Sequence, residues 1–269
     1  MVFRCAVLGS PIEHSLSPVM HRAAYGVLGL DWRYDAYQID VTALAGFMAD
    51  LDESWRGLSL TMPLKRAVLP MLDEVSLVAR DVSAVNTVTF DGRRRLGDNT
   101  DVPGMVAALA ERGVGAVQRA AVLGTGATAA SAVAALGRLG VTRISVYGRH
   151  RDRTAALVSW ATSRGIRAQM LPLLTTPDAP VEVLVSTVPA EALTGVGDEM
   201  VSQASTVLDV SYSPWPSPLL ARATAAGRTT VTGVDLLAHQ GALQVRAMTG
   251  RDVAVDVLRD AALATLVTN

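Results

Sequence analysis

The sequence predicts an α/β protein of two units, the second a doubly wound, Rossmann-like sheet. Three observations carry this. From Phe3 to Phe90, apolar strand-like runs alternate with helical segments, the rhythm of a mostly parallel or mixed sheet covered by helices. A glycine-rich turn, Gly124-Thr125-Gly126-Ala127-Thr128-Ala129, stands between an apolar strand and a helix of small residues, the setting of a dinucleotide-binding turn. From Leu236 to Val267 the pattern is helical, with a break at Thr249-Gly250. At 269 residues, 50% of them apolar, the chain has room for one large domain or two ordinary ones with full cores.

In the first unit, Phe3 to Leu8 reads as a strand. Ser17 to Leu28 reads as a helix, capped by Ser17 with Pro18 at the first helical position. Arg33 to Ile39 is a strand, Val41 to Leu51 a helix, Leu58 to Met62 a strand and Lys65 to Leu72 a helix. Ala84 to Phe90 is a strand that ends at the turn Asp91-Gly92. The second unit starts after Pro103-Gly104, with a helix over Met105 to Glu111. Strands follow at Ala120–Leu123, Ile144–Tyr147, Val183–Ser186, Thr206–Val210 and Thr229–Thr232. Helices follow at Ala127–Leu139, Thr154–Arg164 and Leu219–Ala226. Leu173 to Pro180, rich in Thr and Pro, reads as a surface loop.

Bulk properties narrow the function. A formal net charge of -1 offers no footprint for nucleic acid. The one basic run, Arg93-Arg94-Arg95, is flanked by Asp91 and Asp98 and reads as a solvated turn. The single cysteine, Cys5, excludes an internal disulfide and offers no metal cluster; within its apolar run it reads as a buried thiol. The N-terminal apolar run is broken too soon for a signal peptide. Ala120 to Gly137 carries no charge, but Gly124, Thr125, Gly126, Thr128 and Ser131 interrupt it, so strand, turn and buried helix explain it better than a membrane span. The expectation is a soluble cytoplasmic protein with small-molecule partners and no metal.

Lys65 is the only lysine; every other one of the 24 basic side chains is arginine. Arginine is effectively never deprotonated in a protein, whereas lysine can give up its proton. The survivor follows the run Leu58-Ser59-Leu60-Thr61-Met62-Pro63-Leu64, at a strand-to-helix turn where α/β proteins gather active-site residues. In the second unit, Gly124 makes the turn and Gly126 admits a pyrophosphate onto the helix N-terminus. The next strand ends in Gly148-Arg149-His150-Arg151-Asp152-Arg153. No acid stands at its tip to hold a ribose hydroxyl, and three arginines can pair with a 2′-phosphate, so NADP is expected rather than NAD.

Ser15 and Ser17, at a helix N-terminus, make a small anion site. His14 and His21 are read as loop and capping residues rather than catalytic ones. Asn86, within a strand of small apolar residues, needs a partner for its amide. Asp101 lies just before the boundary between the units and is expected to face a cleft there; Asp98 and Asn99 shape the turn.

Taken together, Gly9-Ser10-Pro11, His14-Ser15-Leu16-Ser17-Pro18, Leu60-Thr61-Met62-Pro63-Leu64-Lys65, Ala84-Val85-Asn86-Thr87 and Gly97-Asp98-Asn99-Thr100-Asp101 resemble the motifs of shikimate dehydrogenases, in the family's order. Asp209-Val210-Ser211-Tyr212-Ser213-Pro214, Gly233 and His239-Gln240-Gly241-Ala242 are similar to its C-terminal motifs. The resemblance implies a substrate-binding domain over residues 1–102, an NADP(H) domain over 103–235, and helices over 236–269 that return to the substrate domain. It implies Lys65 and Asp101 as the catalytic pair. It implies that Ser15 and Ser17 hold a substrate carboxylate, with Tyr212 nearby, and that Thr61, Asn86 and Gln240 read its hydroxyls. On the same resemblance Gly124, Thr125, Gly126, Ala127 and Thr128, then Arg149 and Arg153, are expected to bind NADP, with Gly233 near the nicotinamide.

The chain departs from the family pattern at Ser59, where the family commonly has Asn, at Gly124-Thr125-Gly126-Ala127-Thr128 for Gly-x-Gly-Gly-Ala, and at Gly148-Arg149-His150 for Asn-Arg-Thr. Leu236 replaces a methionine and keeps an apolar wall. The implied activity is reversible NADPH-dependent reduction of 3-dehydroshikimate to shikimate, by a monomer or homodimer. Two alternatives are a quinate or quinate/shikimate dehydrogenase, which prefers NAD and an acid at the second-strand tip, and a non-catalytic sensor of shikimate-type ligands, which expects loss of Lys65 or Asp101.

Overall fold

Phe3–Gly9 is apolar enough to be buried along most of its length, and it becomes β1, one strand in from the edge of the first sheet. A computed structural model describes residues 2–173, 175–177, 179–193 and 197–268. Two units are distinguished. One comprises Met1–Gly104 with Leu237–Asn269, the other Met105–Leu236.

In the first unit β1 is followed by α1 (Ser17–Val27), β2 (Trp32–Gln38), α2 (Leu44–Ala49), β3 (Trp55–Leu60), α3 (Leu64–Ala67), β4 (Glu74–Val75), α4 (Leu77–Val82), β5 (Thr87–Asp91) and β6 (Arg94–Asp98). Its strand order is β2-β1-β3-β5-β6-β4. β1 pairs in parallel with β2 and β3, while β5 runs antiparallel to β3 and to β6. The chain leaves this unit within α5 (Asp101–Glu111) and re-enters it within α10 (Gly233–Thr249); α11 (Val255–Thr268) then packs on α1.

The second unit holds β7 (Arg119–Leu123), α6 (Ala127–Arg138), β8 (Arg143–Gly148), α7 (Arg151–Thr162), β9 (Arg167–Pro172), β10 (Val181–Ser186), α8 (Gly197–Ser202), β11 (Ala204–Asp209), α9 (Pro218–Ala225) and β12 (Thr229–Val231). All its strands are parallel, in the order β12-β11-β10-β7-β8-β9. The order reverses beside β7, and that switch point is where open α/β sheets bind ligands, at the carboxyl ends of the strands.

Several expectations are corrected. Ser17 is not a helix cap. The backbone at Leu16 is already helical (φ -83, ψ -9), so Ser17 lies inside the first turn, with Ser15 Oγ accepting from its N–H at 3.4 Å. The helix predicted to start after Pro103-Gly104 begins at Asp101; Asn99 Oδ1 accepts from Val102 N at 3.1 Å, and Pro103 sits in the first turn, where its missing N–H costs nothing. The predicted helix from Lys65 to Leu72 divides into α3 and a 3-10 turn over Leu69–Met71, which contains Pro70. Arg94 and Arg95 are strand residues in β6, opposite Asp91 and Phe90. Asn86 lies just before β5, not within it. Arg153 belongs to the first turn of α7 rather than to a loop. β4, α4, β6, β9 and α8 have no counterpart among the predicted elements. The described residues of the loop from Leu173 to Pro180 carry no regular helix or strand; Leu174 and Asp178 lie outside the described residues.

Cys5 is fully buried, and burial pushes its thiol up to about 11, as an inert structural residue requires. His21 is not a capping residue either. It lies within α1, buried, with its ring stacked on Tyr34 at 4.0 Å between centroids. Burial lowers its pKa from 6.5 to about 3. The unfolded chain therefore takes up a proton below about pH 6.5 that the fold refuses until about pH 3. Stability from this group is complete above pH 6.5 and falls by about 1.4 kcal/mol for each pH unit below it. His21→Phe keeps an aromatic ring but removes the titration. Between pH 7 and pH 5, wild type is expected to lose about 2 kcal/mol more stability than His21→Phe in denaturant unfolding. Equal losses would mean that the imidazole titrates alike in both states.

Candidate active site

The candidate site in the first unit is built on four chain segments. Lys65 comes from α3, just past β3; Asp101 opens α5; Asn86 precedes β5; Gln240 comes from α10. Lys65 Nζ donates to Asp101 Oδ2 at 2.6 Å, and Asn86 Nδ2 donates to Asp101 Oδ1 at 2.8 Å. Both carboxylate oxygens are thus committed. The pair is mostly buried, with side-chain exposures of 12% for Lys65 and 7% for Asp101. An ion pair at that depth persists only when its remaining hydrogen-bonding capacity is met. Position helps as well, because a carboxylate at a helix N-terminus is stabilised by the helix dipole.

Asn86 is the hub. Its Oδ1 accepts from the backbone N–H of Thr100 at 2.8 Å and from Thr87 Oγ1 at 2.8 Å. Because a backbone N–H can only donate, the amide orientation is fixed, and Nδ2 must face Asp101. Nδ2 also approaches Thr100 Oγ1 at 2.9 Å and Gln240 Oε1 at 3.2 Å. The buried amide has the partners its sequence position demanded. Gly104 lets Gln240 come this close: a Cβ there would stand 2.8 Å from Gln240 Cβ and 2.9 Å from its backbone N, so α5 and α10 cross at glycine.

Ser15, Ser17 and Thr61 lie around the carboxyl ends of β1 and β3. Thr61 N donates to Leu8 O, and Ser10 N to Met62 O, each at 2.9 Å, which ties the two strand ends together. The hydrogen bonds of the Asn86 hub given above include none of these three side chains. Tyr212 follows β11 in the second unit, half-buried, its phenol pushed above the ordinary value by burial. Sequence reasoning gave no role to Thr87, Thr100, Ser59, Tyr34 or Gln244, all of them buried. Gln244 carried one usable signal: it stands four residues after Gln240 on the same helix, hence on the same face.

In the second unit the glycine turn occupies the switch point. Gly124 has φ +111, and a Cβ there would meet Thr187 Oγ1 at 2.3 Å, so turn and packing both require glycine. Gly126 precedes α6 with no side-chain cap, and open space lies where its Cβ would be. Ala127 and Thr128 begin the helix, whose first N–H groups have no intrahelical acceptor. That is a cradle for a diphosphate, and the residues present fit one. Beyond Thr125, β8 ends at Gly148; Arg149 and Arg153 are both exposed, with no acid at the strand tip. Gly233 opens α10 against the Val210 carbonyl. Among the described residues no group of three or more His, Cys, Asp or Glu side chains is arranged to hold a metal, and no helix is long and apolar enough to cross a membrane.

A doubly wound parallel sheet with this turn, joined to a unit that holds a buried ammonium–carboxylate pair, defines an α/β dehydrogenase of the dinucleotide-binding class. Residues 7–88 match the family model for the shikimate dehydrogenase substrate binding domain, and residues 233–263 that for the shikimate 5'-dehydrogenase C-terminal domain. A shikimate dehydrogenase (NADP(+)) of Thermus thermophilus is 37% identical over 251 residues, 93% of each chain. The crystal structure of Mycobacterium tuberculosis shikimate dehydrogenase superposes with a TM-score of 0.88 at 37% identity, covering 97% of this chain and 99% of that one. A Thermus thermophilus shikimate 5-dehydrogenase, solved in complex with NADP(H) and shikimate, gives a TM-score of 0.84 at 34% identity, covering 98% and 100%. The chain belongs to the shikimate dehydrogenase family.

Proposed function

We propose that this protein catalyses the reversible reduction of 3-dehydroshikimate to shikimate with NADPH. The observation that carries the reading is the Lys65–Asp101 contact at 2.6 Å, with the second Asp101 oxygen held by Asn86. Reducing a ketone puts negative charge on its oxygen, which then needs a proton. Lys65 supplies a positive hydrogen-bond donor for that charge and delivers the proton; Asp101 aims the ammonium, and Asn86 keeps Asp101 from rotating. In the oxidative direction Lys65 takes the hydroxyl proton back.

Ser15 and Ser17 hold the substrate carboxylate, with Tyr212 assisting, while Thr61, Asn86 and Gln240 recognise its hydroxyls. When bound, the nicotinamide supplies the hydride. Gly124, Thr125, Gly126, Ala127 and Thr128 receive the diphosphate, Arg149 and Arg153 the 2′-phosphate, and Gly233 lies near the nicotinamide. On this reading residues 1–102 with 236–269 serve the substrate and 103–235 the cofactor. The protein acts in the cytoplasm as a monomer or homodimer.

The test is absorbance at the reduced-nicotinamide band with shikimate or quinate, each paired with NADP or NAD. Shikimate with NADP is expected to give the highest kcat/KM. No turnover in any pairing would end the reading, and a lead for quinate with NAD would replace it with the quinate alternative.

A further inference from the structure

Behind Asn86 runs a second, wholly buried line of polar side chains. Tyr34 OH contacts Ser59 Oγ at 2.6 Å, and Ser59 Oγ contacts Gln244 Oε1 at 2.8 Å. Gln244 Nε2 donates to the backbone carbonyl of Asn86 at 3.1 Å and to Thr87 Oγ1 at 3.0 Å. Tyr34, Ser59, Thr87 and Gln244 are each no more than 4% exposed. Four buried polar side chains in a row are costly unless every donor and acceptor is placed.

Their directions follow from one backbone group. The Asn86 carbonyl can only accept, so Gln244 must present its NH₂ there and its carbonyl to Ser59. Ser59 must then donate to Gln244, which leaves its lone pairs for the Tyr34 hydroxyl. At the other end, Thr87 Oγ1 already accepts from Gln244 Nε2, so its one hydrogen is free to donate to Asn86 Oδ1, 2.8 Å away. Gln244 thus supports Asn86 twice, at the carbonyl that also accepts from Leu60 N at 2.8 Å and through Thr87. With Oδ1 occupied, Nδ2 is held on Asp101.

We propose that Gln244 is a positioning residue for the catalytic pair. It touches neither Lys65 nor Asp101; it acts by bracing, through Thr87, the Asn86 amide that the Thr100 N–H orients, and Tyr34 and Ser59 brace it from behind. Its proper occupant is a side chain that donates at one end and accepts at the other, which glutamine does and an apolar residue of equal length does not. This rests on the function proposed above, since the quantity it protects is turnover of the Lys65–Asp101 pair.

Gln244→Met keeps length and volume and removes both ends. The expected result is a fall in kcat with shikimate and NADP of about tenfold to a hundredfold, the range seen when a supporting hydrogen bond behind a reactive group is lost, with the NADP KM unchanged. A space-filling role would move the unfolding midpoint and leave kcat alone. Thr87→Val removes the hydroxyl that hands the contact on, and the double variant separates the cases. Losses that converge, with the pair little worse than the worse single variant, mean one shared route. Losses that multiply overturn the proposal, as does wild-type kcat in Gln244→Met. Should Gln244→Met not fold, Ser59→Ala makes the same test from behind, with a smaller fall in kcat expected and a wild-type kcat fatal. Wild-type protein without turnover on shikimate would sink the parent function and this proposal with it; active wild type with undiminished variants sinks this proposal alone.

Discussion

Lys65→Arg is expected to lower turnover by about 10²–10⁴-fold, the usual contribution of general acid–base catalysis. The substitution keeps the positive charge in a chain whose other basic residues are all arginine. If charge were all that mattered, the variant would work. A guanidinium stays protonated throughout the useful range and cannot pass a proton to and from an alcohol. Geometry adds to the loss. The ammonium is a compact donor 2.6 Å from Asp101 in a pocket where only 12% of the lysine side chain is exposed. A planar, wider head displaces that hydrogen bond. The melting temperature is expected to move little, because Asp101 keeps a cationic partner. The measurements are steady-state kcat with shikimate and NADP and thermal unfolding of both proteins; turnover within about threefold of wild type would remove Lys65 from proton transfer.

Replacing Arg149 and Arg153 together by alanine is expected to reduce the preference for NADP over NAD by about a hundredfold. A hydrogen bond to a charged group contributes about 1.5–3 kcal/mol. Both arginines are exposed, so solvent discounts each to about 1.4 kcal/mol, tenfold apiece. The change should fall on the NADP KM, leaving kcat with saturating NADP and all constants with NAD nearly unaltered, since NAD has no group for these side chains to hold. An unchanged preference in the double variant would make both arginines ordinary surface.

The unequal legibility of the fold has physical causes. β1, β3, β7, β10 and β11 announce themselves because interior strands with both faces covered are mostly buried and read as largely apolar runs. β9 is an edge strand of mixed, largely exposed residues, and β6 begins with arginines that look solvated. α4 is only six residues long, and its one signal was the Ser76 side chain capping Ala79 N. At the site, Lys65 stood out by its solitude, Asn86 by an amide that needed a partner, and Gly124 by its setting between strand and helix. The support behind Asn86 was not. Ser59 meets Gln244 across 185 residues of sequence, and Gln244 meets Thr87 across 157. No local pattern encodes a contact of that span; it appears only when β3, β5 and α10 are brought together.

A chain with one lysine carries one side-chain amine. Reagents that acylate or reductively methylate amines therefore find, apart from the chain terminus, a single target, and it is the cationic member of the buried ion pair. Because that ammonium is tied to Asp101 and mostly covered, it should react slowly when the pair is closed and faster whenever it opens. The labelling rate becomes a clock for the closed contact. A ¹³C-methyl group placed there gives one resonance with no other lysine to confuse it, so the state of the ion pair can be followed directly without resolving the rest of the protein.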